Sequence, residues 1–322
     1  MGKGLPLIEV IDKDFQRRLP GYHKSRREGL AALTGVMLDV RSANLMELAA
    51  GLPREIAAVE HRYQYIERQL KNDEIVPDEV IKSYAFEVIE RLAASGQTVI
   101  LQMDQSHIND MNEVLMLSVR LRKRALPVAW RVRSTQGNIG FPVQKELLDS
   151  VLAWLPDNVT IMLAADRFYG TAQLVEWCQN AGWSYRIRLK GNLTLTHEGG
   201  ELTTGDVAAR IPKGVKAAEL YGSGVTTNIG VVHEKGHKEP WIIAMDAAPS
   251  TYTVLDYGMR WGIENMFSDF KSRGFGLMQS QIQKPDRMER LLLIMAIALY
   301  WASSCGMFAE QQAASGGQKR GL

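Results

Sequence analysis

Hydrophobic and polar positions alternate along this chain with three different patterns. In the first 94 residues the apolar positions recur every three or four residues, as over 26–41, which predicts amphipathic helices. Between 98 and 190, continuous apolar runs such as 98–103 predict buried strands separated by helices. Residues 191–250 carry short alternating runs rich in Gly, Thr and Val, which predict a β-rich insertion.

The order of these elements predicts an α/β fold. The predicted strands and helices between 98 and 190 follow one another as strand 98–103, strand 114–120, strand 126–133, helix 142–155, strand 159–165, helix 172–181 and strand 184–189. A hairpin followed by crossover helices is typical of a mixed sheet with helices on both faces. Two more helices are predicted after the insertion, over 252–272 and 286–308.

These patterns divide the chain into predicted regions: 1–94 helical, 95–190 the first part of the α/β domain, 191–250 the insertion, 251–310 the rest of the domain, and 311–322 a disordered tail. The short N-terminal helices, with a Gly-containing turn, suit a helix-turn-helix-like DNA-binding module. A plain helical bundle is the alternative, because residues 1–75 hold 12 Lys and Arg against 11 Asp and Glu.

Composition narrows the class of protein. A net charge of +2 permits a nucleic-acid partner without arguing for one, and 46% hydrophobic residues are ordinary for a soluble protein. Cys178 and Cys305 exclude a disulfide framework and suit a reducing cytoplasm. We expect no signal peptide at the N-terminus, because the first twenty residues alternate in charge and carry no apolar core segment. We expect no membrane partner, because the apolar run 291–302 is shorter than the roughly 20 residues that span a bilayer.

A stripe of polar residues on the helix predicted over 252–272 is the most informative local pattern. At about 100° per residue, Tyr257, Arg260, Glu264 and Lys271 fall within about 60° of one another, at the border of the apolar face. A charged ligand or a metal would justify this placement. A surface helix with a single Arg260–Glu264 ion pair is the alternative.

Carboxylates end two of the predicted strands. Asp104 follows the first strand and Asp166 the fourth, which would be neighbours, and Glu264 comes from the helix. Three converging carboxylates repel one another unless cations lie among them, and hard oxygen ligands suit Mg²⁺ or Mn²⁺. Two such ions could support phosphoryl transfer. Alternatively, Asp104 caps a turn, Asp166 caps a helix and Glu264 only pairs with Arg260.

The spacing Tyr257-x2-Arg260-x3-Glu264-x6-Lys271 resembles the signature of bacterial insertion-sequence DDE transposases, in the Tyr-Arg-Glu-Lys branch. Residues 103–106 and 166–170 are similar to the family's two aspartate segments. The resemblance implies a ribonuclease-H-like domain, a catalytic and metal-binding triad of Asp104, Asp166 and Glu264, and two Mg²⁺ ions, for which Mn²⁺ can substitute. It also implies that Tyr257, Arg260 and Lys271 hold DNA phosphate.

The resemblance extends to DNA contacts and partners. In hairpin-forming members a tryptophan stacks on a flipped base, and Trp241 occupies the corresponding place; a core tryptophan of the insertion is the alternative. Further phosphate contacts are expected from two groups of basic residues: a cluster of Arg120, Arg122, Lys123, Arg124, Arg131 and Arg133, and a set of Arg186, Arg188 and Lys190 that alternate along one strand and so share a face. Arg167 is a further expected DNA contact.

The predicted function is therefore cut-and-paste transposition. We expect a cytoplasmic, nucleoid-associated homodimer that binds the terminal inverted repeats of double-stranded DNA through the N-terminal helices, and that cleaves and joins strands. A ribonuclease-H-like nuclease without joining activity is one alternative, and an inactive or domesticated DNA-binding relative is the other.

Overall fold

The computed structural model describes residues 5–53, 58–233, 236 and 238–318, with side chains to residue 313. These residues form two compact units. The helical unit comprises the described parts of Met1–Tyr84, Ile108–Asn112 and Phe267–Leu322, and the sheet unit comprises Ala85–His107 and Glu113–Met266. The N-terminal helices therefore share a unit with the C-terminal helix, whereas the sequence predicted a separate region ending at residue 94.

The helical unit is built from helices that bury one apolar face. Its helices are α1 (Leu5–Arg18), α2 (Lys24–Val40), α3 (Leu45–Gly51), α4 (Val59–Lys71), the first part of α5 (Pro77–Ala94) and α11 (Pro285–Gln318). Two of them, α2 and α3, begin at side-chain caps. The Asn44 side chain accepts the Met46 N–H at 2.9 Å and so starts α3. Leu33, Met37 and Ile66 are fully buried. Within the region predicted to be helical over 1–94, the pattern predicts one helix at 54–71; it is observed from Val59, and residues 54–57 lie outside the described part.

Helix α11 carries a long apolar segment. By length and composition, its segment Pro285–Ala313 is the one helix among the described residues that could cross a membrane, and 61% of its apolar window is buried inside the protein. Core helices meet the same test, and the predicted buried helix is confirmed. The helix continues to Gln318, so the tail predicted to be disordered from residue 311 is helical as far as it is described.

The sheet unit confirms the predicted mixed α/β architecture. Its ten strands are β1 (Val99–Asn109), β2 (Asn112–Leu121), β3 (Arg124–Ser134), β4 (Ile161–Ala165), β5 (Ser184–Arg188), β6 (Thr194–His197), β7 (Gly200–Thr203), β8 (Gly214–Leu220), β9 (Thr226–Val232) and β10 (Trp241–Met245). They lie in the order β3-β2-β1-β4-β5-β10-β9-β8-β6-β7. The remaining helices include α6 (Phe141–Leu152), α7 (Ala172–Asn180) and α8 (Thr204–Arg210).

The parallel centre of the sheet sets the position of the candidate site. Strand β4 pairs in parallel with β1 and with β5. These strands are nearly continuous apolar runs, and all five residues of β4 are buried, as expected for strands covered on both faces. The last pair between β1 and β4 is Met103 with Ala165, one residue before each aspartate.

The insertion continues this sheet. Strand β10 pairs antiparallel with both β5 and β9, so the predicted β-rich region extends the same ladder. The hairpin of β6 and β7 and the helix α8 were not predicted. Both strands are only four residues long, too short for alternation to stand out, whereas α8 begins at a capping box formed by Thr203 and Asp206.

The predicted helix over 252–272 is broken into four helical pieces. It consists of α9 (Thr251–Leu255), a 3₁₀ segment (Asp256–Trp261), α10 (Gly262–Ser268) and a π-helical turn (Asp269–Arg273). In a 3₁₀ segment residues i and i+3 eclipse each other. Tyr257 and Arg260 therefore lie directly above one another, closer than the regular helical period predicted.

Candidate active site

Asp104 and Asp166 occupy adjacent positions at the centre of the sheet. Asp104 lies within β1, which continues to Asn109, so the prediction that it stands past the strand end is wrong. It nevertheless follows the last residue that pairs with β4. Asp166 starts a 3₁₀ turn over Arg167–Tyr169, where its Oδ1 accepts the Arg167 N–H at 2.6 Å. Parallel register thus brings the two predicted aspartates together.

Buried polar groups of the sheet hold the 3₁₀ segment in place. The Met259 carbonyl accepts hydrogen bonds from the side-chain amide of Gln102, which is fully buried, and from Arg120 Nη1 at 2.6 Å. A Cβ at Gly262 would lie 3.1 Å from Gln102 Nε2 and 3.2 Å from the Arg124 carbonyl, so glycine permits this close approach. Sequence reasoning missed Gln102, and it predicted a phosphate contact for Arg120, whose guanidinium binds this backbone carbonyl.

Arg260 joins the three candidate carboxylates. Its Nη1 donates to Asp104 Oδ2 at 2.9 Å, and its Nη2 donates to Glu264 Oε1. Its Nε donates to the Tyr257 hydroxyl at 3.0 Å, and that hydroxyl lies 3.4 Å from Asp166 Oδ1. The guanidinium is thus bound on all three of its nitrogens, and Arg260 is only 6% exposed.

Burial and neighbouring charges shift the ionisation of this cluster in opposite directions. Burial raises the pKa of Asp104 from 3.8 to about 6; Arg260 and the Gln105 N–H oppose the shift, and Asp166 and Glu264 add to it. Burial alone would lower the pKa of Arg260, but Tyr257 and the carboxylates outweigh it and the pKa is raised. Asp104 is therefore an ionised carboxylate held at a position that disfavours its charge.

The donor chemistry of the cluster suits a divalent ion, but its arrangement does not. Three carboxylates are the hard oxygen ligands that Mg²⁺ and Mn²⁺ take. Within the described part of the chain, however, no three His, Cys, Asp or Glu side chains are placed to hold a metal ion. The guanidinium of Arg260 binds one oxygen of Asp104 and one of Glu264 instead. In this conformation the predicted metal ligands therefore do not form a metal site.

Two tryptophans lie beside Tyr257. Trp241, on β10, is 3% exposed and belongs to a buried cluster with Ile243 and Val254; its ring meets Tyr257 edge-on at 5.2 Å. This placement matches the core alternative, and base stacking by Trp241 stays a prediction that requires its ring to be uncovered. Trp261, which was not predicted, is 44% exposed and lies 6.2 Å from Trp241.

A basic cavity opens beside Asp166. It has a volume of about 710 Å³, and its lining includes three predicted DNA contacts, Arg167, Arg188 and Lys190. Glu239 also lines it, with an oxygen 3.2 Å from Arg167 Nη1 and 3.9 Å from Arg188 Nη2. Lys190 lies 5.4 Å from the centre of the exposed Phe168 ring. The structure thus brings these three basic residues together around one cavity, and Arg167 directly follows Asp166 in the chain.

The other predicted basic residues lie in different surroundings. Arg122, Lys123 and Arg124 are exposed around the turn between β2 and β3. Arg131 and Arg133 pair with Glu146. Arg186 is 5% exposed and pairs with Asp246, which fixes it inside the sheet unit. Lys271 belongs to the helical unit, in the π-helical turn, and its predicted phosphate contact stays a prediction.

Tyr169 was also missed. It is 2% exposed, and its hydroxyl has no hydrogen-bond partner among the described residues. Burial raises its pKa well above 10, and the charges of Asp104 and Asp166 raise it further. A buried hydroxyl without a partner is uncommon. No sequence signal distinguished it from an ordinary core tyrosine.

Comparison with known families identifies part of this arrangement. The transposase DDE domain family matches residues 140–301, about half of the chain. The match includes Asp166, Arg260 and Glu264, whereas Asp104 lies upstream of it and is joined to the other carboxylates by the geometry alone. No curated protein matches the chain.

Proposed function

Because the chain belongs to the transposase DDE domain family, we propose that it is a DNA transposase that cleaves strands at the ends of its element and joins them to target DNA. Members of this family generally use divalent metal ions. Mg²⁺ as a pair of ions, with Mn²⁺ able to substitute, is our finer proposal. The Tyr-Arg-Glu-Lys spacing supports the corresponding bacterial branch.

The observation that carries the proposal is that Arg260 binds two of the three carboxylates directly and the third through the Tyr257 hydroxyl. Asp104 comes from β1, Asp166 follows β4, and Glu264 lies on α10, yet hydrogen bonds through Arg260 and Tyr257 connect all three. Side chains from three separate elements that meet beside an electropositive cavity are typical of a phosphoryl-transfer site.

Each residue has a proposed role in that reaction. Asp104, Asp166 and Glu264 would hold the divalent ions once Arg260 releases the carboxylates that it binds, and such ions would supply charge stabilisation for phosphoryl transfer. Arg260 supplies a fork of donors that matches the oxygens of a phosphate. Tyr257 orients Arg260 through its hydroxyl. The roles of these residues in DNA binding rest on the family resemblance and on their chemistry.

We propose that the DNA end passes over the basic cavity beside Asp166. Arg167, Arg188 and Lys190 line it and carry charge suited to the phosphodiester backbone. Trp261, 6.2 Å from Trp241, presents an exposed aromatic ring, which suits stacking on an unpaired base. If a hairpin intermediate forms, Trp241 would contribute only after its ring is uncovered. The exposed Arg122, Lys123 and Arg124 extend the proposed phosphate contacts.

The remaining parts of the proposal concern assembly. We infer that the N-terminal helices bind the terminal inverted repeats, that two copies act together in a synaptic complex, and that the protein works on the bacterial nucleoid in the cytoplasm. The short helices α2, α3 and α4 support the first of these, since short helices are common readers of the major groove. Footprinting on the element ends tests it.

The decisive experiment is cleavage of a duplex that spans the boundary of the element, in Mg²⁺ or Mn²⁺. Wild type is compared with Glu264→Gln, which removes the charge of the third carboxylate and keeps its shape. We expect metal-dependent nicking at the boundary and its loss in the variant. Glu201→Gln, on the exposed edge of β7, is the matched control and should cleave like wild type.

The products separate the alternatives. Strand-transfer products from a pre-cleaved end would support a transposase, whereas nicking without joining would support the nuclease. Specific binding of the boundary duplex without cleavage in either metal would support a DNA-binding relative. Equal cleavage by Glu264→Gln would mean that the third carboxylate has been assigned wrongly.

A further inference from the structure

Arg260 has two roles in the proposed function that exclude each other. As a phosphate ligand its guanidinium must face DNA, but here it is almost fully buried and binds the carboxylates proposed to hold metal ions. An oxygen that accepts a hydrogen bond from Arg260 directs that lone pair away from a metal. In the observed geometry the Arg260 guanidinium therefore donates hydrogen bonds to the carboxylates, and its donors do not face a phosphate.

The guanidinium of Arg260 compensates the negative charge of the carboxylates around it. Three carboxylates near one another repel, and a guanidinium between them removes most of that repulsion. Arg260 also satisfies the Tyr257 hydroxyl with its Nε. A divalent ion would have to replace a counter-ion already bound through three nitrogens, so its binding competes with Arg260.

The two sides of the cluster differ in exposure. The side chain of Asp104 is 17% exposed, whereas that of Glu264 is 54% exposed. A phosphate can therefore approach Arg260 from the exposed Glu264 side. Phosphate oxygens are strong acceptors for a guanidinium and can replace the carboxylate oxygens that it gives up.

The backbone beneath Arg260 is fixed, so the side chain is the moving part. Gln102 and Arg120 both donate to the carbonyl of Met259, the preceding residue. The long arginine side chain can change rotamer without moving this anchored turn. Exchange of partners therefore needs no rearrangement of the sheet.

We propose that Arg260 is an internal counter-ion that keeps the carboxylates closed to divalent ions until a DNA phosphate takes over its guanidinium. Metal loading is then coupled to DNA binding, and the coupling is reciprocal: DNA raises metal affinity, and metal raises DNA affinity. The inference rests on the proposed function, because it assumes that these carboxylates bind metal and that the substrate carries phosphate.

The test is direct measurement of Mn²⁺ binding to the full-length protein by electron paramagnetic resonance of the free ion. Wild type is titrated without DNA and with a saturating boundary duplex, with the Mn²⁺ bound by duplex alone subtracted. Arg260→Gln is titrated without DNA. We expect the duplex to tighten Mn²⁺ binding to wild type at least about tenfold, which is a typical allosteric coupling, and Arg260→Gln to gain comparable affinity without DNA.

Two further variants locate the binding. Asp104→Asn added to Arg260→Gln should abolish the gain in Mn²⁺ affinity, because it removes one of the carboxylates that the loss of Arg260 makes available to the ion. Arg210→Gln removes a surface arginine that pairs with Asp206 four residues earlier, whereas Arg260 pairs with Glu264 four residues later, and should leave Mn²⁺ binding unchanged. Thermal unfolding with and without Mn²⁺ gives a second readout: only Arg260→Gln should be stabilised by the ion in the absence of DNA.

The outcomes are decisive for the counter-ion independently of catalysis. Mn²⁺ binding to wild type that is equally tight with and without duplex would overturn the proposal, even if boundary cleavage is observed. A gain in wild type with duplex supports it even if Arg260→Gln does not fold. A gain in Arg260→Gln that Asp104→Asn abolishes supports it even if no cleavage is found, in which case the proposed function fails and the counter-ion stands.

Discussion

Two buried arginines in the sheet unit each bind two carboxylates, but the pKa of one acid in each pair is shifted in opposite directions. Arg186 is bound by Asp246 and Asp256, as Arg260 is bound by Asp104 and Glu264. Both guanidinium groups are almost completely buried, at 6% and 7% side-chain exposure. We call them the Arg186 cluster and the Arg260 cluster.

The clusters differ in what else binds their carboxylates. Asp246 accepts hydrogen bonds from the Ser184 hydroxyl at 2.8 Å and the Tyr185 N–H at 3.2 Å. Burial by itself raises the pKa of Asp246, but these hydrogen bonds and Arg186 outweigh it, so the pKa is lowered. For Asp104 burial prevails and the pKa rises to about 6. A buried ion pair stabilises a fold when other protein groups also donate hydrogen bonds to its carboxylate. Without them, burial disfavours the charged form of the acid.

The largest effect expected from this difference is on activity. Asp104→Asn should reduce boundary cleavage on the order of 10³-fold or more, the loss typical when a member of a catalytic group is removed. The Asp246→Asn variant, which changes the corresponding acid of the Arg186 cluster, should cleave the boundary duplex in proportion to the fraction of protein that is folded. Single-turnover cleavage normalised to folded protein measures both. A comparable loss in both variants would erase the distinction between the clusters.

The next effect is on stability. Arg186→Met leaves the partly exposed Asp246 and Asp256 without their buried partner and should lower the free energy of unfolding by about 2–3 kcal/mol. Arg210→Met, which breaks the exposed ion pair with Asp206, should change it by less than about 1 kcal/mol. Urea unfolding followed by circular dichroism measures both values. A loss at Arg186 no larger than at Arg210 would show that the Arg186 cluster is not structural.

The pKa shifts predict opposite pH dependences for the two acids. Asp246 has a lowered pKa, so its contribution to stability is present above its unfolded value of 3.8 and is lost as the pH falls through its folded value. Asp104 has a raised pKa, so its contribution is present below 3.8 and is lost as the pH rises through about 6.

Unfolding in EDTA between pH 3 and pH 8 sharpens this contrast. The stability deficit of Asp246→Asn relative to wild type should grow as the pH rises through 4. The Asp104→Asn variant should gain stability relative to wild type between pH 4 and pH 7, by at most about 3 kcal/mol for a pKa shift of this size. Parallel pH profiles for the two variants would contradict the assigned pKa directions.

The smallest effect distinguishes two buried tyrosines: Tyr185, which binds Asp246 through its N–H, and Tyr169, whose pKa is raised by the charges of Asp104 and Asp166. Tyr185 binds Thr227 Oγ1 at 2.9 Å through its hydroxyl, whereas the hydroxyl of Tyr169 has no partner among the described residues. Tyr185→Phe should destabilise the protein by about 1 kcal/mol, and Tyr169→Phe should be neutral or slightly stabilising. Differential scanning calorimetry compares the two. A clear loss of stability in Tyr169→Phe would indicate that its hydroxyl binds a group such as an ordered water.

The sequence predicted the parts of the site that depend on short-range patterns. Asp104 and Asp166 could be identified as neighbours because each follows an apolar run, and parallel strands bring their carboxyl ends to one edge. The Arg260–Glu264 pair follows from four-residue spacing. The hydrogen bond between Arg260 and Asp104 did not follow, because it joins residues 156 positions apart and depends on a 3₁₀ turn that hydrophobic periodicity does not encode.

Strand alternation was misleading for Arg186. It placed Arg186, Arg188 and Lys190 on one face and suggested the same role for all three, since alternate residues of a strand share a side. The partners that hold Arg186 inside lie 60 and 70 residues later in the chain. Only the pairing of β5 with β10 shows that one of the three is structural while the other two line the cavity.

The parallel register of β1 and β4 has a consequence for how this gene can change in length. Main-chain pairing that ends at Met103 and Ala165 aligns the two aspartates, and the connections that join the strands take no part in that pairing. Insertions or deletions in those connections would therefore leave the spacing of the two carboxylates unchanged, whereas a one-residue slip within either strand would turn an aspartate to the opposite face. Over evolutionary time, relatives of this protein can differ widely in loop length while the reacting centre keeps its dimensions.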